Sequence, residues 1–327
     1  MNDSQPKNPQ PSSPSSRSIP NSKFQTPNGE VVFSKWSGSG NDFLCMDNRD
    51  GRFDEILVSQ ERLAHFTRTL CRRGLGVGGD GIVFAVEPEI EGVADIAAKF
   101  LEMDGTESTL CGNGTACFVR WTVGQGIVAD GEVRVLTGAG VVLGRNLDDG
   151  YTRVCIPLPE EMQTDLEVQV DGDLIECDYI VTGCEHLVVY VDDVDAAPVG
   201  RLGPLLRRHE YFAQPRGVNV NFVQVLGEGE LAIRTYEYGV ESETLACGTG
   251  SASAAILAAR KFGWSSEYSS DDKPVRLRTR SGDVVRVYVG VDETERVTDL
   301  CLETLVRCSY SATLCPDLAA LAMSPVA

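Results

Sequence analysis

The chain of 327 residues is long enough for two domains of ordinary size, and a 42% hydrophobic composition fits packed cores. A net charge of −19, from 29 Lys and Arg against 48 Asp and Glu, repels phosphate backbones and anionic lipid surfaces, which argues against nucleic-acid and membrane partners. Only three histidines, and eleven cysteines without close C-x2-C pairs, argue against a metal centre.

Residues 1–30 hold six of the fifteen prolines and seven serines with almost nothing apolar to bury, so a disordered tail is expected there. No apolar signal-peptide core precedes Val31, and no apolar run reaches membrane-spanning length. A cytoplasmic protein with reduced cysteines is therefore expected. From Val31 onward, the runs VVFSKW, DGIVFAV, EVRVL, TRVCI, HLVVYV, NFVQV, LAIRTY and VVRVYV read as strands between Gly-rich turns. Helical apolar spacing is confined to SQERLAHFTRTLCRR (59–73), GTACFVRWTVGQG (114–126) and GSASAAILAARKFG (250–263). Two of these three begin directly after a Cys-Gly-x-Gly turn.

The chain repeats itself. AAKFLEMDGTESTLCGNGTACFVRW aligns with LAIRTYEYGVESETLACGTGSASAAIL, each reading as strand, acidic turn, Thr-Leu, Cys-Gly-x-Gly and helix. Weaker echoes keep the same order: SGSGNDFLCMD with TGCEHLVVYVD, and GVGGDGIVFAV with RGVNVNFVQV. The spacing is too long for a solenoid and implies two homologous domains. The repeat singles out Cys111 and Cys247 as equivalent positions, each at a helix start.

A helix N-terminus carries unpaired N–H groups and about half a positive charge, which lower the pKa of a thiol held there and bind an anion. Thiols at both sites are thus candidate bases. The backbone N–H groups of Gly112, Asn113, Gly248 and Thr249 are free to close around a carboxylate. Removing the α-proton of an amino acid builds charge on Cα and its carboxylate, which two opposed helix ends stabilise without an iminium cofactor. One cysteine as thiolate removes the proton and the other as thiol delivers one to the opposite face. Competing readings are a phosphate loop, a cysteine hydrolase using His186, and structural cysteines in a non-catalytic amino-acid-binding protein. The Gly-rich runs lack the spacing of phosphate loops.

At these motifs the sequence resembles the diaminopimelate epimerase family. The matching segments are FSKWSGSGNDF, CRRGLGVGGDG, LEMDGTESTLCGNGTACF, GVNVNF and ETLACGTGSASAA, spread from Val31 to about Ser311. The resemblance implies an α/β (α+β) fold of two pseudo-symmetric domains, each a curled mixed sheet around a central helix, with the active site in the cleft between them. The expected extents are 31–150, with 303–327 returning to it, and 151–302. It also implies an isomerase with no cofactor and no metal, acting on a small-molecule amino acid in lysine biosynthesis, as a possible homodimer. Cys111 and Cys247 would be the acid/base pair, with His186 and Glu237 supporting catalysis. Asn41, Glu102, Gly112, Asn113, Cys184, Asn219, Tyr238, Gly248 and Thr249 would contact substrate.

Three positions depart from the family pattern. Glu102 stands where FNADG has Asn, Cys184 where GNPH has Asn, and Tyr238 where ERG has the Arg that grips the distal carboxylate. Tyr cannot reproduce a bidentate guanidinium contact. Two substrates follow: diaminopimelate with rearranged recognition, for which Arg216 or Arg234 could replace the clamp, or a basic amino acid.

Overall fold

The computed structural model describes residues 30–214, 216–270 and 273–324; the expected N-terminal tail lies outside them apart from Glu30. The first half contains β1 (Val32–Gly38), β2 (Asn41–Asp47), α1 (Asp54–Leu57), α2 (Gln60–Cys71), β3 (Gly81–Val86), β4 (Ile96–Glu102), β5 (Glu107–Ser108), α3 (Gly112–Gly124), β6 (Glu132–Thr137), β7 (Gly140–Asn146) and β8 (Tyr151–Cys155). The second contains β9 (Met162–Val170), β10 (Asp173–Val181), β11 (Glu185–Tyr190), α4 (Val199–Arg207), β12 (Asn219–Gly227), β13 (Glu230–Glu237), β14 (Ser242–Thr244), α5 (Gly248–Lys261), β15 (Val275–Arg278), β16 (Val284–Val291), β17 (Val297–Thr313) and α6 (Pro316–Met323).

The strand pairings repeat between halves. β2–β3 and β11–β12 are parallel, β3–β4 and β12–β13 antiparallel, β4–β6 and β13–β15 parallel, and β6–β7 and β15–β16 antiparallel. Each half thus wraps a mixed sheet around one helix. α3 is buried continuously from Gly112 to Val119, and α5 from Gly250 to Ala258. A helix enclosed on all sides has no polar face, which is why neither segment reads as an amphipathic stripe. Small residues fill α5, where Ala252, Ala254, Ala255 and Ala258 are fully buried.

The halves exchange strands at their seam. β8 pairs with β7 and then leads into β9, which pairs with β10 in the second half. β17 makes the reverse crossing: it pairs with β16 through Glu303 and with β1 from Val306 onward. At the crossing β8 and β17 pair with each other, from Cys155 opposite Cys301 to Tyr151 opposite Leu305.

One expectation about the cysteines is corrected at this seam. Cys155 and Cys301 form a disulfide, because β8 and β17 place them directly opposite one another; nine other cysteines are free thiols. Two residues along, the strands are joined electrostatically: the Glu303 carboxylate, 2% exposed, accepts from Arg153 at 2.7 and 3.0 Å and from Arg286 at 3.1 Å. Closing a loop of 146 residues restricts the unfolded chain. Replacing the pair (Cys155→Ala with Cys301→Ala) is expected to lower the unfolding free energy by about 2–4 kcal/mol in a urea titration, and an unchanged midpoint would show that the bond adds nothing.

Candidate active site

Both repeat cysteines cap the central helices. Cys111 is the N-cap of α3 with an extended backbone (φ −132°, ψ 115°), and its Sγ accepts the Gly114 N–H at 3.3 Å. Cys247 occupies the same position on α5 (φ −125°, ψ 116°) and accepts from the Gly250 N–H at 3.4 Å. Sulfur here replaces the Ser, Thr, Asp or Asn oxygen usual at an N-cap. Gly250 has to be glycine, since a Cβ there would lie 2.4 Å from Asn221 Oδ1.

The two helix starts meet. A Cβ on Gly248 would lie 3.4 Å from Asn113 Oδ1 and 3.7 Å from Asn113 N. Leu302 of β17 fills the gap behind them, and Thr304 two residues on donates to Asn113 Oδ1 at 3.2 Å. The first-turn N–H groups of Gly112, Asn113, Gly248 and Thr249 have no acceptor within their own helices and face a shared space. Four such donors from two positive helix ends are suited in kind to hold an anion.

Carboxylates surround the thiols. Glu237, last residue of β13, accepts from the Thr244 hydroxyl and lies beside the Cys247 thiol, and burial raises its pKa to about 7. Glu102, last residue of β4, is its counterpart in the repeat; the crowded cleft and neighbouring Asp104 and Asp80 raise its carboxyl above the ordinary value. On the Cys111 side the thiol donates to Asn41 Oδ1 at 3.7 Å, and Asn41 Nδ2 donates to Asp80 Oδ2 at 2.9 Å. Asp80 is in turn paired with Arg73 at 2.8 Å.

This setting reverses one expectation. Both thiols are pushed upward from the ordinary cysteine value rather than down. Burial is the first cause, the carboxylates add to it (Glu102, Glu237 and Asp80 at Cys111; Glu237 at Cys247), and one N–H donor to each sulfur does not offset them. In the substrate-free protein both sulfurs are therefore thiols.

His186 stands behind the site. It is fully buried, and desolvation lowers its pKa to about 3, so the ring is neutral. Asn221 Nδ2 lies 3.3 Å from His186 Nδ1, which leaves the proton on Nε2 to donate to Thr249 Oγ1 at 3.0 Å. His186 thus orients Thr249 instead of lining the cleft. Cys184 lies 3.2 Å from His186 Nε2 and accepts from Asn219 Nδ2, also at 3.2 Å. Asn219 Oδ1 accepts the Tyr238 N–H at 2.8 Å. The Arg216 guanidinium sits 5.3 Å from the Tyr238 ring centre and gives its Nε–H to Glu185 at 3.1 Å. Arg234 is held elsewhere, by Glu243 and the carbonyls of Val194, Asp195 and Ala197.

The fold thus gathers Asn41, Glu102, Gly112, Asn113, Cys184, Asn219, Glu237, Tyr238, Gly248 and Thr249 around the two cysteines, with His186 behind them. Sequence reasoning missed Asp80, Asn221, Thr244, Leu302 and Thr304. Asp80 and Asn221 belong to motifs that are plain in the sequence, GVGGDG and GVNVNF. Leu302 and Thr304 carry no local signal, because only the β17 crossing brings them in.

The family model described as diaminopimelate epimerase matches residues 33–155 and 179–298. The chain is 40% identical over 269 residues to the diaminopimelate epimerase of Aquifex aeolicus, covering 81% of this chain and 92% of that one. It is 34% identical to the enzyme of that name from Hydrogenobaculum, covering 80% and 93%. Among solved structures, a hydroxyproline epimerase from Agrobacterium vitis superposes with a TM-score of 0.66 at 14% identity, over 89% of this chain and 95% of that one. A Bacillus anthracis phenazine biosynthesis protein gives 0.65 at 15%, over 88% and 99%. At such identities these structures share the fold.

The Glu237 environment is directly testable. An NMR titration of its side-chain carboxyl is expected to centre near pH 7, well above an ordinary glutamate. Thr244→Val removes a hydrogen bond to the charged form and is expected to move the midpoint further up; a midpoint in the usual carboxylate range contradicts the assignment.

Proposed function

The chain belongs to the diaminopimelate epimerase family of amino-acid epimerases, and we propose that it inverts an amino-acid α-carbon by passing a proton between Cys111 and Cys247 without pyridoxal phosphate. The substrate in this reading is LL-diaminopimelate, converted to the meso form for lysine and peptidoglycan-precursor synthesis. One observation carries the reading: two equivalent thiols cap two helices whose N-termini meet.

The substrate α-carboxylate docks on the N–H groups of Gly112, Asn113, Gly248 and Thr249, which puts Cα between the sulfurs. In the direction begun by Cys247, its S–H proton passes to the Glu237 carboxylate, and the resulting thiolate takes the Cα proton. The electron pair left on Cα spreads into the carboxylate, where both helix ends stabilise it. Cys111 then delivers its S–H proton to the opposite face, and Asn41 steadies that sulfur from its other side. The turnover leaves Cys111 as thiolate and Glu237 protonated: in the reverse direction Cys111 takes the Cα proton, Cys247 delivers its own and is reprotonated by Glu237, and repeated turnover in one direction resets Cys111 and Glu237 through solvent. The arriving carboxylate is held by the helix ends, while the α-ammonium offsets the field of Glu102, Glu237 and Asp80. Thiolate formation is thereby coupled to occupancy of the site.

Arg216 supports diaminopimelate as the substrate. It stands beside Tyr238 and Cys184, with its Nε–H given to Glu185 and no hydrogen bond from its two terminal nitrogens among the described residues, a fork suited to a distal carboxylate. The acidic lining of Glu102, Asp80 and Glu237 favours the second reading, a basic amino acid with a distal cation.

Deuterium uptake at Cα in D2O, across diaminopimelate isomers, lysine, ornithine, arginine and histidine, separates these readings. Wild-type protein is expected to exchange diaminopimelate, and Cys111→Ser or Cys247→Ser to lose about 100- to 10,000-fold. Arg216→Met is expected to raise KM for diaminopimelate alone. Exchange that survives thiol alkylation would sink the two-thiol mechanism, and exchange of basic amino acids alone would sink the substrate. Because Glu237 accepts a proton only as carboxylate and its pKa lies near 7, kcat/KM is expected to rise as pH passes upward through that value. Glu237→Gln is expected to abolish that limb.

A further inference from the structure

Four consecutive residues of β17 lie where the halves join, and they alternate in role. Cys301 is bonded covalently to Cys155 of β8. Glu303 is ion-paired to Arg153 of β8 and Arg286 of β16. These two anchors fix β17 to its neighbours on both sides. Between them, Leu302 is fully buried and points the other way, towards the helix starts, as alternation along a strand requires. Thr304 points the same way and reaches Asn113 in the first turn of α3.

One methyl of Leu302 serves both helices. Cδ2 lies 3.3 Å from the position a Cβ would take on Gly112 and 3.6 Å from that on Gly248. Gly112 and Gly248 each follow directly on a repeat cysteine, so the same methyl touches the residue next to each thiol. A Cβ on Gly112 would press on Leu302, whereas one on Gly248 would meet it at ordinary van der Waals distance. Val154, opposite Leu302 on β8 and equally buried, is not among the nearest atoms to either glycine. The wedge is therefore one-sided in an otherwise two-fold arrangement.

We propose that Leu302 is a positioning residue: wedged between the first turns of α3 and α5 and anchored by its two neighbours, it sets the separation of the Cys111 and Cys247 sulfurs. The proposal rests on the two-thiol reading above. Both sulfurs must be within reach of one tetrahedral carbon, so a displacement of about 1 Å at either helix end is enough to cost about 100-fold in rate without loss of the N–H groups that take the carboxylate. The anchors keep the wedge in register while the helices close on substrate.

The test compares Leu302→Ala, Leu302→Met and Val154→Ala in the intact, disulfide-bonded protein, with diaminopimelate exchange as the assay. Leu302→Ala is expected to lower kcat about 30- to 100-fold with KM within about threefold, and Leu302→Met to recover most of the loss. Val154→Ala controls for a cavity of similar depth and is expected to lower thermal stability while leaving kcat within about threefold. The proposal is overturned if Leu302→Ala keeps its kcat, if Leu302→Met is no better than alanine, or if Val154→Ala loses kcat to the same extent. In the last case a general loosening of the core explains the effect. Failure of the two-thiol reading looks different: Cys111→Ser and Cys247→Ser would then retain exchange.

Discussion

Two helix N-termini brought face to face repel one another, each carrying roughly half a positive charge, and the rest of this structure depends on that enforced meeting. The central helices approach until the main chain of Asn113 is in contact range of Gly248. Neither helix has a reason of its own to make this approach. It is imposed by the paired crossings of β8 and β17, which tie the sheets around α3 and α5 to one seam. Negative charge relieves the repulsion, and the protein places Glu102, Glu237 and Asp80 around it without putting any of them between the helix ends. The remaining electrostatic demand is for one more anion in that place, which in the proposed reaction is the substrate carboxylate.

The same carboxylates keep the thiols protonated while the site is empty. Burial and like charge raise both sulfurs, and a single N–H donor to each is too weak to compensate. A resting thiolate pair would be open to oxidation, whereas a resting thiol pair is inert until a zwitterion arrives. Glu237 is the exception that makes activation possible. Raised to about 7 and set beside Cys247, it is the group to which the proposed mechanism hands the sulfur's proton at neutral pH. Had it kept an ordinary carboxylate pKa, it would be a poor base for a thiol raised so far.

Much of this was legible in the sequence, for physical reasons that also mark where legibility stopped. The repeat exposed Cys111 and Cys247 because duplication preserves spacing, and the strands β3, β6, β11 and β16 were visible as β-branched runs. α4 was not foreseen: it is nine residues long and contains Pro204, which reads as a breaker. β9 and β10 were missed because their exposed faces are as polar as loops. The thiol ionisation was misjudged because a helix dipole can be inferred from local sequence, while desolvation depends on which elements close over it. The disulfide was missed for the same reason, since Cys155 and Cys301 become neighbours only through strand pairing.

The duplication also explains which departures from symmetry matter. Glu102 and Glu237 end equivalent strands beside equivalent cysteines, yet only Glu237 is stabilised as carboxylate by the thiol of its own cysteine. Cys111 donates instead to Asn41, whose amide is turned by Asp80. An amide oxygen can orient a thiol but cannot take its proton at neutral pH, so the two faces of Cα are served by unlike partners. The asymmetry continues away from the two sulfurs: Cys184, Asn219, Tyr238 and Arg216 all belong to the second half, so in the proposed reaction the side chain of the substrate has one recognising wall. A symmetric pair of thiols is what inversion requires. An asymmetric wall is what fixes which end of the substrate lies between them.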